Sequence, residues 1–309
     1  MTKLVVMVGL PGSGKSTEAR RLCDSLDAVI FSSDEYRLRL LGDESRQAGN
    51  QLVFERLYED LVDCLARGKS VILDATNITV KDRKSVMNRV SKIDCDRIAY
   101  VVATPIDVCL ERNKNRSRVV PNDVILRMQK RFQFPMYYEG FNSIVVHTMN
   151  DVIGFSDLIK NMDKMDGFNQ MNPHHKYDLL EHSTILANHY DKAKPEYFAG
   201  IVHDIGKLFT QTIDDRGIAH YFSHDSIGAY YLATVFPAVC FMIESLGVEE
   251  DKLLESSYEV LFFVNWHMSA HSFSSEKSIH KYTDLFGEDL FNRLMLFAEY
   301  DRIASGTAK

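Results

Sequence analysis

The run Leu4-Val5-Val6-Met7-Val8, leading directly into Gly9-Leu10-Pro11-Gly12-Ser13-Gly14-Lys15-Ser16-Thr17, constrains this chain more than any other stretch. Glycines in such a loop let backbone amides turn onto phosphate oxygens, and a helix beginning near Ser16 adds the positive end of its dipole. Lys15 can then reach the β- and γ-phosphates while the Ser16 hydroxyl ligates Mg²⁺. Strand, Gly-x-x-x-x-Gly-Lys-Ser loop and helix in this order predict the start of an α/β domain on a parallel sheet. ATP or another NTP with Mg²⁺ is the expected cofactor, held by Gly12, Ser13, Gly14, Lys15, Ser16 and Thr17.

The rest of the N-terminal half fits that start. Leu4 to Val8, Ala28 to Ser32, Ser70 to Leu73, Arg97 to Ala103 and Ser143 to His147 read as strands separated by helical stretches, the pattern of a parallel sheet covered on both faces. From about Asp157 the period changes to apolar residues three and four apart, as in Leu290, Leu294, Phe297 and Ala298, so the second half is expected to be wholly or almost wholly helical. Between them, a stretch rich in Asn, Asp, Gly and Met lacks a clear period. The expected division is an α/β domain over 1–155, a linker over 156–172 and an all-α domain over 173–309.

Charge divides along the same line. Residues 1–150 carry 23 Lys and Arg against 19 Asp and Glu, whereas residues 151–309 carry 13 against 24 and hold ten of the 11 histidines. A mildly basic half suits anionic substrates, and an acidic, histidine-rich half suits divalent cations. The five cysteines form no Cys-x-x-Cys pair, which argues against a disulfide framework or a zinc-thiolate site and for a reducing compartment. Neither a secretory leader nor an apolar run of membrane-spanning length is visible, so a cytoplasmic protein with no membrane partner is expected, in the host cytoplasm if the gene is a phage's.

Three further segments bear on what receives the phosphate. Ser33-Asp34-Glu35-Tyr36-Arg37 follows the second strand, at the edge where ligands of open α/β sheets collect. A carboxylate there can accept the proton of an attacking hydroxyl, and Arg37, one turn on, can hold the acceptor's phosphate. Capping of a helix by Asp34 is the plainer alternative. Asp74, ending the third strand in Val71-Ile72-Leu73-Asp74-Ala75-Thr76-Asn77, is a candidate partner for Mg²⁺ or an arginine, or a cap. The segment from Arg112 to Arg131 holds seven basic residues and one acidic residue, an imbalance that suits a lid over nucleotide phosphates, with Arg112 and Arg116 foremost.

Taken together, Gly-Leu-Pro-Gly-Ser-Gly-Lys-Ser-Thr, Asp34 to Arg37, Asp74-Ala-Thr-Asn, and Arg112 to Arg116 followed by Val120-Pro121-x-Asp123-Val124 resemble the kinase module of phage-type polynucleotide 5′-kinases over roughly residues 1 to 145. The resemblance implies a P-loop kinase domain in which Asp34 is the general base toward a 5′-hydroxyl. It also implies that Arg37 grips the substrate's 3′-phosphate and that Arg112 and Arg116 belong to the lid. The phosphatase that accompanies known members has a different fold and has no counterpart here.

The second half carries its own signal. His182, His203-Asp204, His224, His267 and Asp301 each fall in or beside a helical stretch, and helix-borne imidazoles and carboxylates that converge make a metal site. Asp204 follows the apolar run Phe198-Ala-Gly-Ile-Val, where a carboxylate would be costly without a cation, and it could bridge two ions. His271 competes with His267, being four residues on and so on the same helix face. Lys207 is a candidate contact for the scissile phosphate, the plainer alternative being an exposed lysine.

The string His182, His203-Asp204, Asp301 resembles HD-type phosphohydrolases. Asn172-Pro-His-His-Lys-Tyr-Asp-Leu-Leu-Glu-His182, Phe222-Ser-His224-Asp-Ser-Ile-Gly-Ala and Asn265-Trp-His267-Met sharpen the likeness to the HD domain of bacterial tRNA CCA-adding enzymes over roughly residues 170 to 305. The resemblance implies an all-α HD domain with one or two divalent transition-metal ions. One ion would lie among His182, His203, Asp204 and Asp301, the other among Asp204, His224 and His267. It further implies hydrolysis of 2′,3′-cyclic phosphates or related phosphomonoesters. Both likenesses together lead to the expectation of a bifunctional end-healing enzyme for RNA or DNA, with an RNA ligase acting downstream. A nucleoside or nucleotide kinase fused to a nucleotidase is the first alternative and a non-catalytic ATP-binding sensor the second.

Overall fold

The computed structural model describes the chain except for residues 45, 47, 117, 150, 174, 175 and 307–309 and the side chains of 151–153. Ser117 of the basic segment and His174 and His175 of the histidine-rich stretch therefore lie outside the described residues. The chain forms two units: Met1–Met128 with Pro135–Met149, and Gln129–Phe134 with Asn150–Lys309.

In the first unit the order is β1 (Lys3–Val8), α1 (Lys15–Leu26), β2 (Val29–Ser32), α2 (Ser33–Leu41), α3 (Asn50–Ala66), β3 (Val71–Asp74), α4 (Val80–Arg89), β4 (Asp96–Ala103), α5 (Ile106–Lys114), α6 (Asn122–Gln129) and β5 (Ser143–Thr148). All five strand expectations hold to within a residue or two at each end. The strands pair in parallel in the order β2-β3-β1-β4-β5, with Val5 opposite both Ile72 and Ile98. Leu4 to Val8 is buried throughout, as a strand covered on both faces requires, and Val5, Met7, Ile72, Tyr100 and Val102 meet Ala19 of α1 in one core cluster. The sheet order reverses at β1, since the chain leaves it for β2 on one side and later reaches β4 on the other. Ligands collect at such a point, beyond the carboxyl ends of the strands. The glycine loop, Asp34 and Asp74 all lie at that edge.

The second unit contains α7 (Asp151–Asp163), α8 (Leu179–Ala187), α9 (Pro195–Val202), α10 (Lys207–Thr210), α11 (His224–Thr234), α12 (Phe236–Ser245), α13 (Leu253–Ala270), α14 (Glu276–Phe286) and α15 (Glu288–Ala304). Two features depart from the reading of the sequence. A short antiparallel hairpin, β6 (Thr212–Ile213) and β7 (Ala219–His220), interrupts the helices around the turn at Gly217. The stretch assigned as linker carries the greater part of α7, in which Leu158 is buried. The central helix α13 is almost wholly buried, from Ser256 to His267 with few breaks, and so presents no polar stripe. Among the described residues, no single helix is long and apolar enough to cross a membrane.

Candidate active sites

The first site is built on the loop between β1 and α1. Gly12 has φ 83°, and a Cβ there would lie 2.2 Å from the Cys109 carbonyl oxygen, so a side chain fits neither the conformation nor the space. Gly14 caps α1 with φ 100° and no side-chain hydrogen bond caps that helix end, whose backbone amides can meet an anion. Thr104 Oγ1 and Arg112 Nη1 donate to the Ser13 carbonyl at 2.8 and 3.3 Å, anchoring the loop. Asn77 Nδ2 donates to Met7 O at 2.8 Å and Gly9 N to Thr76 O at 3.0 Å, which ties the exit of β3 to the same loop.

The resulting cavity, of about 540 Å³, is lined by Gly12, Gly14, Lys15, Ser16 and Thr17 on one side and by Asp34, Asp74, Arg112 and Arg116 on the other. Of the P-loop residues expected at the nucleotide site, Gly12, Gly14, Lys15, Ser16 and Thr17 line this cavity, whereas Ser13 is buried within the loop and does not. Lys15 is buried and donates to Leu10 O at 2.8 Å; burial pushes its ammonium below the ordinary lysine range, against the pull of the Asp74 carboxylate.

Asp34 does not cap α2. Ser32 does, its hydroxyl accepting from Glu35 N, so the Asp34 carboxylate in the first turn is left for the site. Nor does Asp74 cap a helix: α4 is closed by a reciprocal pair of Thr79 and Asp82. Arg37 Nη1 lies 2.5 Å and Arg118 Nη1 2.6 Å from the same oxygen of Asp34, with Arg116 4.0 Å from the other. Arg37 is held from behind by Asn50 Oδ1 at 2.9 Å and lies over the Phe54 ring, 5.9 Å from its centroid. Sequence reasoning singled out Arg112 and Arg116 and missed Arg118 and Asn50. Arg118 stood in the same basic run; nothing in the order of residues pointed to Asn50.

The second site draws on five helices and one turn. His182 comes from α8, His203 and Asp204 from the turn after α9, Lys207 from the start of α10, His224 from the start of α11, His267 from α13 and Asp301 from α15. Gly206 makes the turn possible, since a Cβ there would lie 2.0 Å from the His224 carbonyl oxygen. All seven side chains are largely buried.

They form two groups joined by one carboxylate. Asp204 Oδ2 lies 3.2 Å from His203 Nε2 and 3.4 Å from His182 Nε2, and Asp301 Oδ1 lies 3.1 Å from His182 Nε2. Asp204 Oδ1 lies 3.0 Å from His224 Nε2 and 3.6 Å from His267 Nε2. The sequence left His267 and His271 as competitors. In the structure His267 joins this inner group, while His271 Nε2 lies 3.0 Å from the outer oxygen of Asp301. Lys207 Nζ is 2.7 Å from Asp204 Oδ2 and donates to Gln170 Oε1 at 2.7 Å, so it is a buried participant, not a surface lysine. Gln170, from the stretch read as linker, was not foreseen.

The donor set fits divalent cations. His203, His224 and His267 each place Nδ1 within 2.7 to 2.8 Å of a backbone carbonyl, which fixes the proton there and turns the Nε2 lone pair inward in the neutral ring. His224 and His267 face each other Nε2 to Nε2 at 3.2 Å, as do His182 and His203. Two such lone pairs cannot satisfy one another; a proton or a cation has to lie between them. Without a cation, burial opposes charge on His203, yet Asp204 and Asp301 hold its imidazolium up to about 10. Burial likewise opposes ionisation of Asp204, and His203 and Lys207 overcome it, holding the carboxyl well below the usual range. Burial pushes His267 down. Two groups in this donor set, His182 with His203 and Asp301, and His203 with Asp204 and His267, place their ligand atoms close enough together to hold a metal ion.

Against known proteins, residues 4–135 match the family model described as an AAA domain, and the first unit has a parallel-sheet α/β fold with a P-loop, which implies ATP or another NTP with Mg²⁺. The chain is 29% identical over 143 residues to L-seryl-tRNA(Sec) kinase of Methanococcus maripaludis, covering 43% of this chain and 53% of that protein. It is 26% identical over 150 residues to a protein of Acanthamoeba polyphaga mimivirus provisionally named a bifunctional polynucleotide phosphatase/kinase, covering 46% of this chain and 32% of that one. Among solved structures, the Pnkp1/Rnl/Hen1 RNA repair complex aligns with a TM-score of 0.38 at 24% identity, covering 41% of this chain and 42% of the other. The chain thus spans about half or less of the length of these relatives.

Proposed function

We propose that the chain is a bifunctional nucleic-acid end-healing enzyme, most suited to RNA, in which the first unit phosphorylates 5′-hydroxyl ends and the second is an HD-type phosphohydrolase. The observation that carries the first half is the meeting of Asp34, on the wall of the P-loop cavity, with Arg37, Arg116 and Arg118. Asp34 takes the proton of the acceptor hydroxyl as its oxygen bonds to the γ-phosphorus and the bond to the β-phosphate oxygen breaks. Arg37, steadied by Asn50, holds a phosphate of the acceptor, and Lys15 and the lid arginines Arg112 and Arg116 offset charge on the transferring group. In the free site Arg37 and Arg118 occupy the base; an acceptor phosphate that draws them away releases it.

For the second half the carrying observation is Asp204 dividing its oxygens between two histidine pairs. Divalent ions held there would supply Lewis acidity, acidifying water and offsetting charge at phosphorus. Asp204 would join the two positions, His271 would orient Asp301, and Lys207 would offer its ammonium to a phosphate oxygen at the mouth of the site. The substrate class is a 2′,3′-cyclic phosphate or terminal phosphomonoester. Two assays test the reading: transfer of labelled phosphate to 5′-hydroxyl oligonucleotides against free nucleosides, and hydrolysis of a 2′,3′-cyclic phosphate with Mg²⁺, Mn²⁺, Co²⁺ or Ni²⁺. Preference for nucleosides would replace it by a nucleoside kinase fused to a nucleotidase. Neither activity with any acceptor or ester would leave an ATP-binding sensor.

A further inference from the structure

The mouth of the histidine-aspartate site carries an aromatic arm that the chemistry above does not use. A cavity of about 390 Å³ opens beside Asp204, His224 and Asp301, and its rim includes His220, Tyr221 and Phe222. Phe222 is 70% exposed, more than any other aromatic side chain among the exposed apolar residues described in this chain. Its ring lies parallel to that of His220, with centroids 5.6 Å apart and planes 5° apart.

The arm is built, not loose. His220 ends the second strand of the β6–β7 hairpin, and its Nε2 lies 3.2 Å from Asp214 Oδ2, while Asp214 Oδ1 accepts from the Arg216 and Ile218 amides. Tyr221 donates to Gln170 O at 2.7 Å and accepts from Gln211 Nε2 at 2.8 Å, which anchors the middle of the arm. Ser223 then takes a left-handed conformation, φ 62° and ψ 27°, an unfavourable one for a residue with a side chain. That reversal sends His224 into the site directly after Phe222 has been left in solvent.

An exposed apolar ring within reach of donors for phosphate chemistry, held flat by a stacked neighbour, has the form of a stacking surface for a nucleobase, since every base offers a π-face. We propose that Phe222, backed by His220, is a base-stacking subsite that receives the base of the terminal nucleotide while its phosphate enters the cavity. The substrate it selects is a nucleoside phosphate at a strand end, of any base, over phosphate esters without a base. The proposal deepens the hydrolase reading and rests on it for the identity of the phosphate.

The direct probe is a sole tryptophan at the platform, Phe222→Trp combined with Trp266→Phe, followed by fluorescence. Adenosine 3′-monophosphate is expected to quench it saturably, and ribose 5-phosphate to leave it unchanged; no quenching by the nucleotide at millimolar concentration overturns the platform. Beside it, Phe222→Ala in the metal-loaded enzyme is expected to reduce the preference for adenosine 2′,3′-cyclic phosphate over glycerol 1,2-cyclic phosphate by about ten-fold, mainly through KM, with Phe222→Tyr restoring it. An unchanged preference in Phe222→Ala also overturns the platform. Quenching without hydrolysis of either ester would keep the platform and remove the hydrolase reading; hydrolysis of both esters at equal efficiency without quenching would do the reverse.

Discussion

Asp204 Oδ1 lies 3.0 Å from His224 Nε2 while Oδ2 lies 3.2 Å from His203 Nε2, so one buried carboxylate serves two imidazole groups. Its removal is therefore expected to affect both cation positions at once. Asp204→Asn should lower bound Mn²⁺ or Co²⁺, read by inductively coupled plasma mass spectrometry after dialysis, to less than half the wild-type content. His271→Ala, at a ring whose Nε2 lies 3.0 Å from the outer oxygen of Asp301, should retain metal at roughly 10- to 100-fold lower affinity, the usual cost of losing a group that orients a ligand. Full metal content in Asp204→Asn would remove the bridging role.

The same cluster links metal uptake to protons. In the metal-free protein His203 is held up to about 10, above its ordinary value near 6.5. A raised imidazole contributes stability that is fully present below the unfolded value and is lost as pH rises through the folded one. The chelated protein should thus lose stability as pH passes from about 6.5 toward about 10. A cation has to displace this proton, so affinity should rise by about ten-fold per pH unit between about pH 7 and about pH 9, with proton release visible by calorimetry in buffers of different ionisation enthalpy. Affinity independent of pH would contradict the displacement.

In the first unit, Arg37 touches Asp34 and is steadied by Asn50. Arg37→Ala is expected to lower kcat/KM for a 5′-hydroxyl oligonucleotide by about 100-fold, as loss of a charged phosphate contact does, with little change in KM for ATP. A loss confined to ATP would reassign Arg37 to the nucleotide.

A stability test falls on Arg83. It is fully buried and pairs bidentately with Glu139 at 2.7 and 2.8 Å while donating to Asn77 O at 2.9 Å. Arg83→Met should destabilise the protein by about 3–5 kcal/mol because Glu139 is left as an unpaired buried charge, and Arg83→Met with Glu139→Leu should recover most of the loss. Urea denaturation distinguishes the two; equal losses would show that the ion pair is not the cause.

Much of this was legible in the order of residues because it rests on local chemistry. The strand, glycine loop and helix around Lys15 are fixed by short-range geometry, and the alternation of strands and helices fixes the sheet. His182, His203, Asp204, His224, His267 and Asp301 could be named from their resemblance to HD-type phosphohydrolases, and Asp204 also because a carboxylate after an apolar run is costly without a cation. What escaped depends on tertiary placement. Asn50, Arg118 and Gln170 join the two clusters through hydrogen bonds to residues 13, 84 and 37 positions away, and Ser32 displaces Asp34 as a cap by one hydrogen bond. The β6–β7 hairpin is two residues per strand, too short to show a period, and α7 runs on into a stretch whose composition resembles a loop.

Two chemistries on two independent sites are tested most directly by mass spectrometry of both ends of an RNA that begins with a 5′-hydroxyl and ends in a 2′,3′-cyclic phosphate, incubated with ATP, Mg²⁺ and Mn²⁺. Wild-type protein should gain a phosphate at one end and open the cyclic phosphate at the other. Lys15→Ala should lose only the first change and Asp204→Ala only the second. Loss of both changes in either variant, with circular dichroism unaltered, would contradict the assignment of separate sites.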